Sequence, residues 1–198
     1  ELMQLMTAAG FVSVFVGIET PDEVSLAECN KGQNIHRNLM DSVHCLQQHG
    51  LQVMGGFIVG FDNDTEATFD RQIDFIQKSG VVTAMVGMLQ AIPGTLLHDR
   101  LTAEGRIAHQ ATGDNADGTT NIIPRMGIEK LQAGYRRLMA EIYSPRRFYE
   151  RVKTCLKLYQ PSGNAPVHLQ FDEIYAFLRS IWKLGIIGDA PGHYRRAD

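Results

Sequence analysis

Leu51-Gln52-Val53-Met54-Gly55-Gly56-Phe57-Ile58-Val59-Gly60-Phe61, followed at once by Asp62-Asn63-Asp64-Thr65, decides the fold class of this chain. The first stretch is an apolar, β-branched run broken by glycines, and the second is a cluster of turn residues. A short apolar run with that boundary reads as a strand of a buried parallel sheet. Upstream, Gly50 closes a helix running from about Ile35 to His49, with Ile35, Leu39, Val43 and Leu46 on one face and Asn34 as its cap. Downstream, the turn opens a helix whose stripe is Phe69, Ile73 and Ile76 and which ends at Gly80. One strand flanked by two amphipathic helices is the unit of an α/β fold.

The same unit recurs on both sides. Phe11 to Ile18 carries Val12, Val14, Val16 and Ile18 and reads as a strand buried on both faces. Glu19 follows it. Thr20 as cap, Pro21 at the first helical position and Glu23 closing a capping box then open a helix. Val81 to Ala91 reads as a third strand, Pro93-Gly94-Thr95 as its turn and Leu96 to Gly105 as the next helix. Right-handed βαβ connections make this a parallel sheet, the half of a TIM-like barrel.

From Arg106 the pattern changes. Residues 111–120 are polar, glycine-rich and aperiodic, the composition of a long loop. Beyond it, Ile128, Leu131, Tyr135, Leu138 and Ile142 form one helical stripe, and Phe148, Val152, Cys155 and Tyr159 form the next after Ser144-Pro145. A third helix spans about Phe171 to Leu184. The domain reading is therefore 1–108 as the half-barrel, 109–127 as loop and linker, and 128–198 as an all-helical C-terminal region. Helix-ending residues at the front and a tail, Gly192 to Arg196, without a closing signal read as an excised piece of a longer protein.

Bulk composition excludes several function classes. Lys+Arg 19 against Asp+Glu 22 leaves a net charge of −3, which gives no basis for bulk binding to nucleic acid. Arg136, Arg137, Arg146, Arg147, Arg151, Lys153 and Lys157 make the tail locally basic, but without interleaved aromatics they read as solvated helix faces. No apolar run is long enough to span a bilayer. Three cysteines, Cys29, Cys45 and Cys155, lie too far apart for a local zinc or iron–sulfur motif and do not form a disulfide framework. The expected setting is cytoplasmic.

Parallel α/β folds bind ligands beyond the carboxyl ends of their strands. Those ends carry Glu19, then Gly60-Phe61-Asp62-Asn63-Asp64, then Gln90 with Pro93-Gly94-Thr95. Carboxylates beside bare backbone suit a ligand with hydroxyls or an ammonium group and a flat ring. No phosphate loop follows any strand. Each feature also has a structural reading: Glu19 as a helix-capping acid, Gly55, Gly56 and Gly60 as close-packing positions, Asp62 and Asp64 as turn and cap residues.

Val16-Gly17-Ile18-Glu19-Thr20-Pro21, Asn30-Lys31-Gly32-Gln33-Asn34, Gly55-Gly56-Phe57-Ile58-Val59-Gly60-Phe61-Asp62 and Pro93-Gly94-Thr95, in that order, resemble the later half of a radical S-adenosylmethionine enzyme. The likeness is greatest to the subgroup with an N-terminal cobalamin-binding domain. Its first two strands resemble the fourth and fifth of the family's partial (β/α)6 barrel, and the tail from about Asn121 resembles a helical C-terminal extension. The resemblance implies cleavage of S-adenosylmethionine by a [4Fe–4S] cluster to a 5′-deoxyadenosyl radical, with methyl transfer, ring or skeletal chemistry as outcomes. It places Glu19 on the cofactor's ribose or methionine end, and Gly56, Ile58 and Gly60 against its adenine. On that placement, Gly60→Val should harm cofactor binding more than folding.

The family's cluster-binding loop has no counterpart here. The resemblance therefore assigns the cluster, and cobalamin where it is used, to the rest of the polypeptide: an upstream half-barrel and a cobalamin-binding domain. The substrate is a small molecule of unspecified class, and this piece alone would be inactive. Two other readings fit the residues. One is a non-catalytic binding or assembly module that dimerises through the exposed half-barrel surface. The other is an ordinary barrel lyase or hydrolase using Glu19 and Asp62 as acid and base.

Overall fold

The computed structural model describes residues 1–114, 117–161 and 171–183. Among these, three strands and eight α-helices form an α/β structure. The strands are β1 (Ser13–Glu19), β2 (Gln52–Val59) and β3 (Thr83–Met88), parallel and in the order β1-β2-β3. The helices are α1 (Leu2–Ala8), α2 (Glu23–Glu28), α3 (Leu39–Gln48), α4 (Glu66–Ser79), α5 (Leu96–Ala103), α6 (Ile128–Ile142), α7 (Pro145–Leu158) and α8 (Phe171–Trp182), with a 3-10 turn at Gly32–Asn34.

Local chemistry explains where several elements begin. Asp22 rather than Thr20 caps α2, accepting the N–H groups of Val24 and Ser25 at 3.1 and 3.2 Å. Thr20 is buried and accepts the N–H of Asp22, and Glu23 is drawn away to the N–H of His36. The capping box expected from Thr20 and Glu23 is therefore not made. Helix α3 starts four residues later than its periodicity suggests, because Asn38 accepts the N–H groups of Met40 and Asp41 while Ile35 is extended. Helix α4 ends as read: Gly80 has φ +69, and a Cβ there would lie 3.0 Å from the backbone nitrogen of Cys155. Only glycine satisfies both that conformation and the approach of α7.

Side chains alternate across the sheet. Val53, Phe57 and Val59 of β2, with Ala84, Val86 and Met88 of β3, face the helices and form the main core with Phe69, Ile73 and Ile76 of α4. Leu131, Leu138 and Ile142 of α6 complete the same cluster, so the first helix after the loop packs into the core beneath the sheet. Gly134 admits the Phe69 ring between α6 and α4; a side chain at that position would occupy the ring's space. Arg151 of α7 is fully buried between the rings of Tyr143 and Phe148, and donates to the carbonyls of Ile142 and Val82. A smaller cluster of Phe61, Leu89, Ala91, Leu101 and Ile122 covers the carboxyl end of the sheet, with Ile58 and Cys29 packed against it.

The opposite face of the sheet departs from the sequence reading. Phe15 of β1 is 57% exposed and Met85 of β3 is 50% exposed. The strand expected to be buried on both faces is thus buried on one. An apolar run of this kind marks the strand but not which of its faces is covered.

The loop after α5 returns along the end of β3, with Asn121 exchanging hydrogen bonds with the backbone of Ala91 and Ile107 bridging to Ile122. Asn115 and Ala116 of the loop, Leu184 at the expected end of the last helix, and the Gly192–Arg196 tail lie outside the described residues. Among the described residues, no helix is long and apolar enough to cross a membrane.

Candidate functional site

The carboxyl end of β1 carries one of the three non-glycine residues with positive φ among the described residues. Glu19 has φ +65, and the N–H of Thr20 donates to the carbonyl of Ile18 at 2.9 Å, so Glu19 sits at the centre of a γ-turn. The register between β1 and β2 slips at this point, with Gly17 opposite Gly56 but Glu19 opposite Phe57. A left-handed conformation at a residue with a long side chain costs about 1 kcal/mol or more. Gln72, buried on α4, holds the turn in place: its amide nitrogen donates to the carbonyl of Glu19 at 3.0 Å and to that of Ile58 at 3.2 Å.

That turn folds the Glu19 side chain back over Gly17. A Cβ on Gly17 would lie 2.6 Å from Oε1 of Glu19 and 3.3 Å from Nζ of Lys31. Lys31 pairs with the same oxygen at 3.0 Å. The result is a carboxylate and an ammonium group side by side on the uncovered face of the sheet, lying over backbone rather than over a side chain. A carboxylate accepts up to about four hydrogen bonds, so the ion pair leaves Glu19 acceptor capacity for a ligand.

Gly56 stands next to Gly17 in the register, on the same face, with the Phe15 ring above it; a Cβ there would lie 2.9 Å from that ring. The half-exposed Phe15 offers a stacking surface for a flat ligand. Ile58 lies two residues on, at the border with the smaller core cluster. Glu19, Gly56 and Ile58 therefore come together at one end of the sheet.

Gly60 stands apart from this group. It has φ +105, its N–H donates to Asp64 at 2.8 Å, and a Cβ would lie 3.0 Å from a methyl of Leu131. A valine there would strain the backbone and press on the core, so Gly60→Val is expected to lower stability as well.

The turn after β2 is built by its two aspartates. Asp64 is buried, accepts the N–H groups of Gly60 and Phe61 and the hydroxyl of Ser25, and its carboxyl is pushed up to about 6 by burial. Asp62 is held by Arg106 at 2.6 Å and Arg100 at 2.8 Å, and the hydrogen bond from Arg106 keeps its carboxyl below the usual range. A carboxylate held between two guanidinium groups is a poor acid or base, which removes Asp62 from the lyase or hydrolase reading.

Two residues of this site carry no role in the sequence reading. Lys31 lies in one of the motifs quoted above, but its partner becomes visible only once the Glu19 turn is formed. Gln72 had a legible signal, as a polar residue inside the Phe69, Ile73, Ile76 stripe.

The arrangement fits part of a nucleoside-like ligand: a carboxylate for hydroxyls or an ammonium group, an exposed aromatic ring, and bare backbone. It does not fit an iron–sulfur cluster. Among the described residues no three His, Cys, Asp or Glu side chains converge on a point that a metal could occupy, and Cys29, Cys45 and Cys155 are unpaired.

Comparison with known proteins places residues 95–197 in a domain of unknown function, DUF4070. An uncharacterized methyltransferase of Synechocystis sp. is 37% identical over 193 residues, covering 96% of this chain and 36% of the relative. The hopanoid C-2 methylase of Rhodopseudomonas palustris is 31% identical over 198 residues, with the same two coverages. The bacteriochlorophyllide d C-12(1)-methyltransferase of Chlorobaculum tepidum is 27% identical over 155 residues, 77% of this chain and 33% of the relative. The chain spans about a third of the length of these curated relatives.

Proposed function

Because the chain belongs to the DUF4070 family and matches methyltransferases along most of its length, we propose that it forms part of a radical S-adenosylmethionine methyltransferase. On this reading the three parallel strands are the later strands of a partial (β/α)6 barrel, residues 1–108 are its half-barrel, and residues 128–198 are a helical extension. The observation that carries the reading is the Glu19 γ-turn, which lays a carboxylate over Gly17 and beside Gly56 at the carboxyl end of the sheet. Order of motifs, position in the fold and the names of the relatives all support it.

The roles of this chain's residues follow from their positions. Glu19 accepts hydrogen bonds from the ribose or the amino-acid end of S-adenosylmethionine, and Lys31 fixes the carboxylate. Gly56 and Ile58 lie against the adenine, with Phe15 as the stacking ring. Gly60 contributes the turn that ends β2. When bound, S-adenosylmethionine together with a [4Fe–4S] cluster supplies the methyl group and the radical chemistry. The cluster, and cobalamin if it is used, are held by the rest of a longer polypeptide.

Electron paramagnetic resonance of the full-length polypeptide, reconstituted and reduced without oxygen, tests the proposal. A [4Fe–4S]⁺ signal that changes when S-adenosylmethionine is added is the expected result. A protein that binds no iron refutes it. A second reading, a non-catalytic assembly module, is favoured by the exposure of Phe15 and Met85 on the uncovered face. It predicts stable dimers and no bound iron.

A further inference from the structure

At the carboxyl end of the sheet lies a cavity of about 540 Å³, walled by the end of α2, the turn after β2, the segment after β3 and the start of α5. Its volume falls within the ~300–1,000 Å³ typical of small-molecule sites. Phe61, Leu97 and Cys29 line its inner wall, and the same three residues meet Ile58 in the smaller core cluster. The cavity wall therefore adjoins Ile58 at the end of β2.

The mouth is apolar as well. Ile92 is 40% exposed and Leu96 is 83% exposed, although α5 has a polar N-cap, Thr95, directly before Leu96. A large aliphatic side chain left almost wholly in water at the lip of a cavity is informative in a way that a scattered one is not.

The charges in the wall are already spent on one another. Among the described residues, Glu28 and Arg100 are the only ionised side chains lining it. They pair at 3.0 Å; Glu28 also accepts the backbone N–H of Asp62, and Arg100 also reaches the Asp62 carboxylate. Among the described residues of the wall a charged ligand would meet no unmatched opposite charge, and it would have to leave water to enter. Asn30 brings a neutral amide to the lining, while the Gln90 amide is already bonded to Thr112, Gly113 and the Asp114 carbonyl.

We propose that this cavity binds the substrate, and that the substrate presents an uncharged, largely hydrocarbon body to it. The assignment rests on the methyltransferase reading for the word substrate. The binding chemistry stands on the cavity alone: apolar wall, apolar lip and internally neutralised charges.

Nile red, an uncharged dye that brightens on leaving water, is titrated into the full-length polypeptide to test the assignment. Saturable binding is expected, weakened about tenfold or more by Leu96→Glu and retained in Leu96→Met. Leu96 is exposed, so neither variant should alter the circular dichroism spectrum or the thermal midpoint. Hexadecanol should displace the dye at least about tenfold more effectively than palmitate. Unsaturable uptake, equal affinity in Leu96→Glu, or equal or reversed displacement by palmitate overturns the proposal. Dye binding needs neither iron nor S-adenosylmethionine. An iron-free protein that still binds the dye as described would therefore refute the methyltransferase reading while leaving an apolar ligand site.

Discussion

Glu19 carries the sharpest conflict between local preference and observed conformation. A glutamate gains nothing from φ +65, and the γ-turn persists because Gln72 and the register slip over-determine it. Strain of this kind yields a testable separation. Glu19→Gly relieves about 1 kcal/mol of left-handed strain, loses a partly exposed ion pair worth about 1 kcal/mol or less, and raises the entropy of the unfolded chain. Urea denaturation should find stability within about 1 kcal/mol of the parent. Equilibrium dialysis on the full-length polypeptide should find S-adenosylmethionine affinity at least about tenfold weaker. A large loss of stability with unchanged affinity would make Glu19 structural. Asp64 gives a second residue-scale prediction. Its carboxyl rises from 3.8 to about 6 on folding, so between those values the folded chain holds a proton that the unfolded chain releases. Its contribution is therefore complete below about pH 4 and is lost as pH rises through about 6. The amplitude is of order 2–3 kcal/mol. Asp62 has the opposite sign: its lowered carboxyl contributes stability above pH 3.8 that disappears as pH falls further. Asp64→Asn can keep its carbonyl oxygen on the Gly60 and Phe61 N–H groups and donate to Ser25. Denaturation curves from pH 4 to 7 should then lose the slope between 4 and 6 while the fold is retained. An unchanged slope would assign it to another group.

Elements show how packing overrides propensity. Gly134 lies inside α6, where alanine is the better helix former by about 1 kcal/mol. The Phe69 ring of α4 occupies the space that a Cβ would need, so Gly134→Ala pushes two packed helices apart. Overpacking costs about 1–3 kcal/mol, and the net result should be a loss of stability, read from the midpoint of chemical denaturation. A gain would show that α6 and α4 can part without cost. The same contact explains why α6 is not a loosely attached tail: its Leu131, Leu138 and Ile142 lie in the core under β2 and β3. Their spacing was legible as a helical stripe. The partner of that stripe was not, since periodicity names a buried face without naming what buries it.

At the scale of the whole molecule, the described residues pack one face of the sheet and leave the other open. Phe15 and Met85 stand on the open one, and the chain spans about a third of its relatives' length. If that face is normally covered by further polypeptide, the 198-residue chain alone should self-associate at micromolar concentration. Light scattering should show this, and Phe15→Glu should shift the population toward monomer. A clean monomer in the parent chain would mean that the open face is tolerated in water as it stands.

The order of strands and helices, the glycine that ends α4, and the turn residues after β2 were all readable in the amino-acid sequence. Each rests on preferences that act within a few residues: alternation, capping and the freedom of glycine at positive φ. Glu19 was readable as a strand-end residue from the same signals, whereas Gly56 and Ile58 were named only through the resemblance to the radical S-adenosylmethionine family. Three things were decided only by the tertiary structure. Asn38, not Asn34, caps α3, since two equivalent caps are separated only by what the helix packs on. Gly60 turns toward Leu131 instead of joining the open face. Lys31 and Gln72 enter the site because a long-range register slip brings the end of β1 beside them. Contacts between residues distant in sequence carry no local periodicity, and the geometry of the candidate site is made of such contacts.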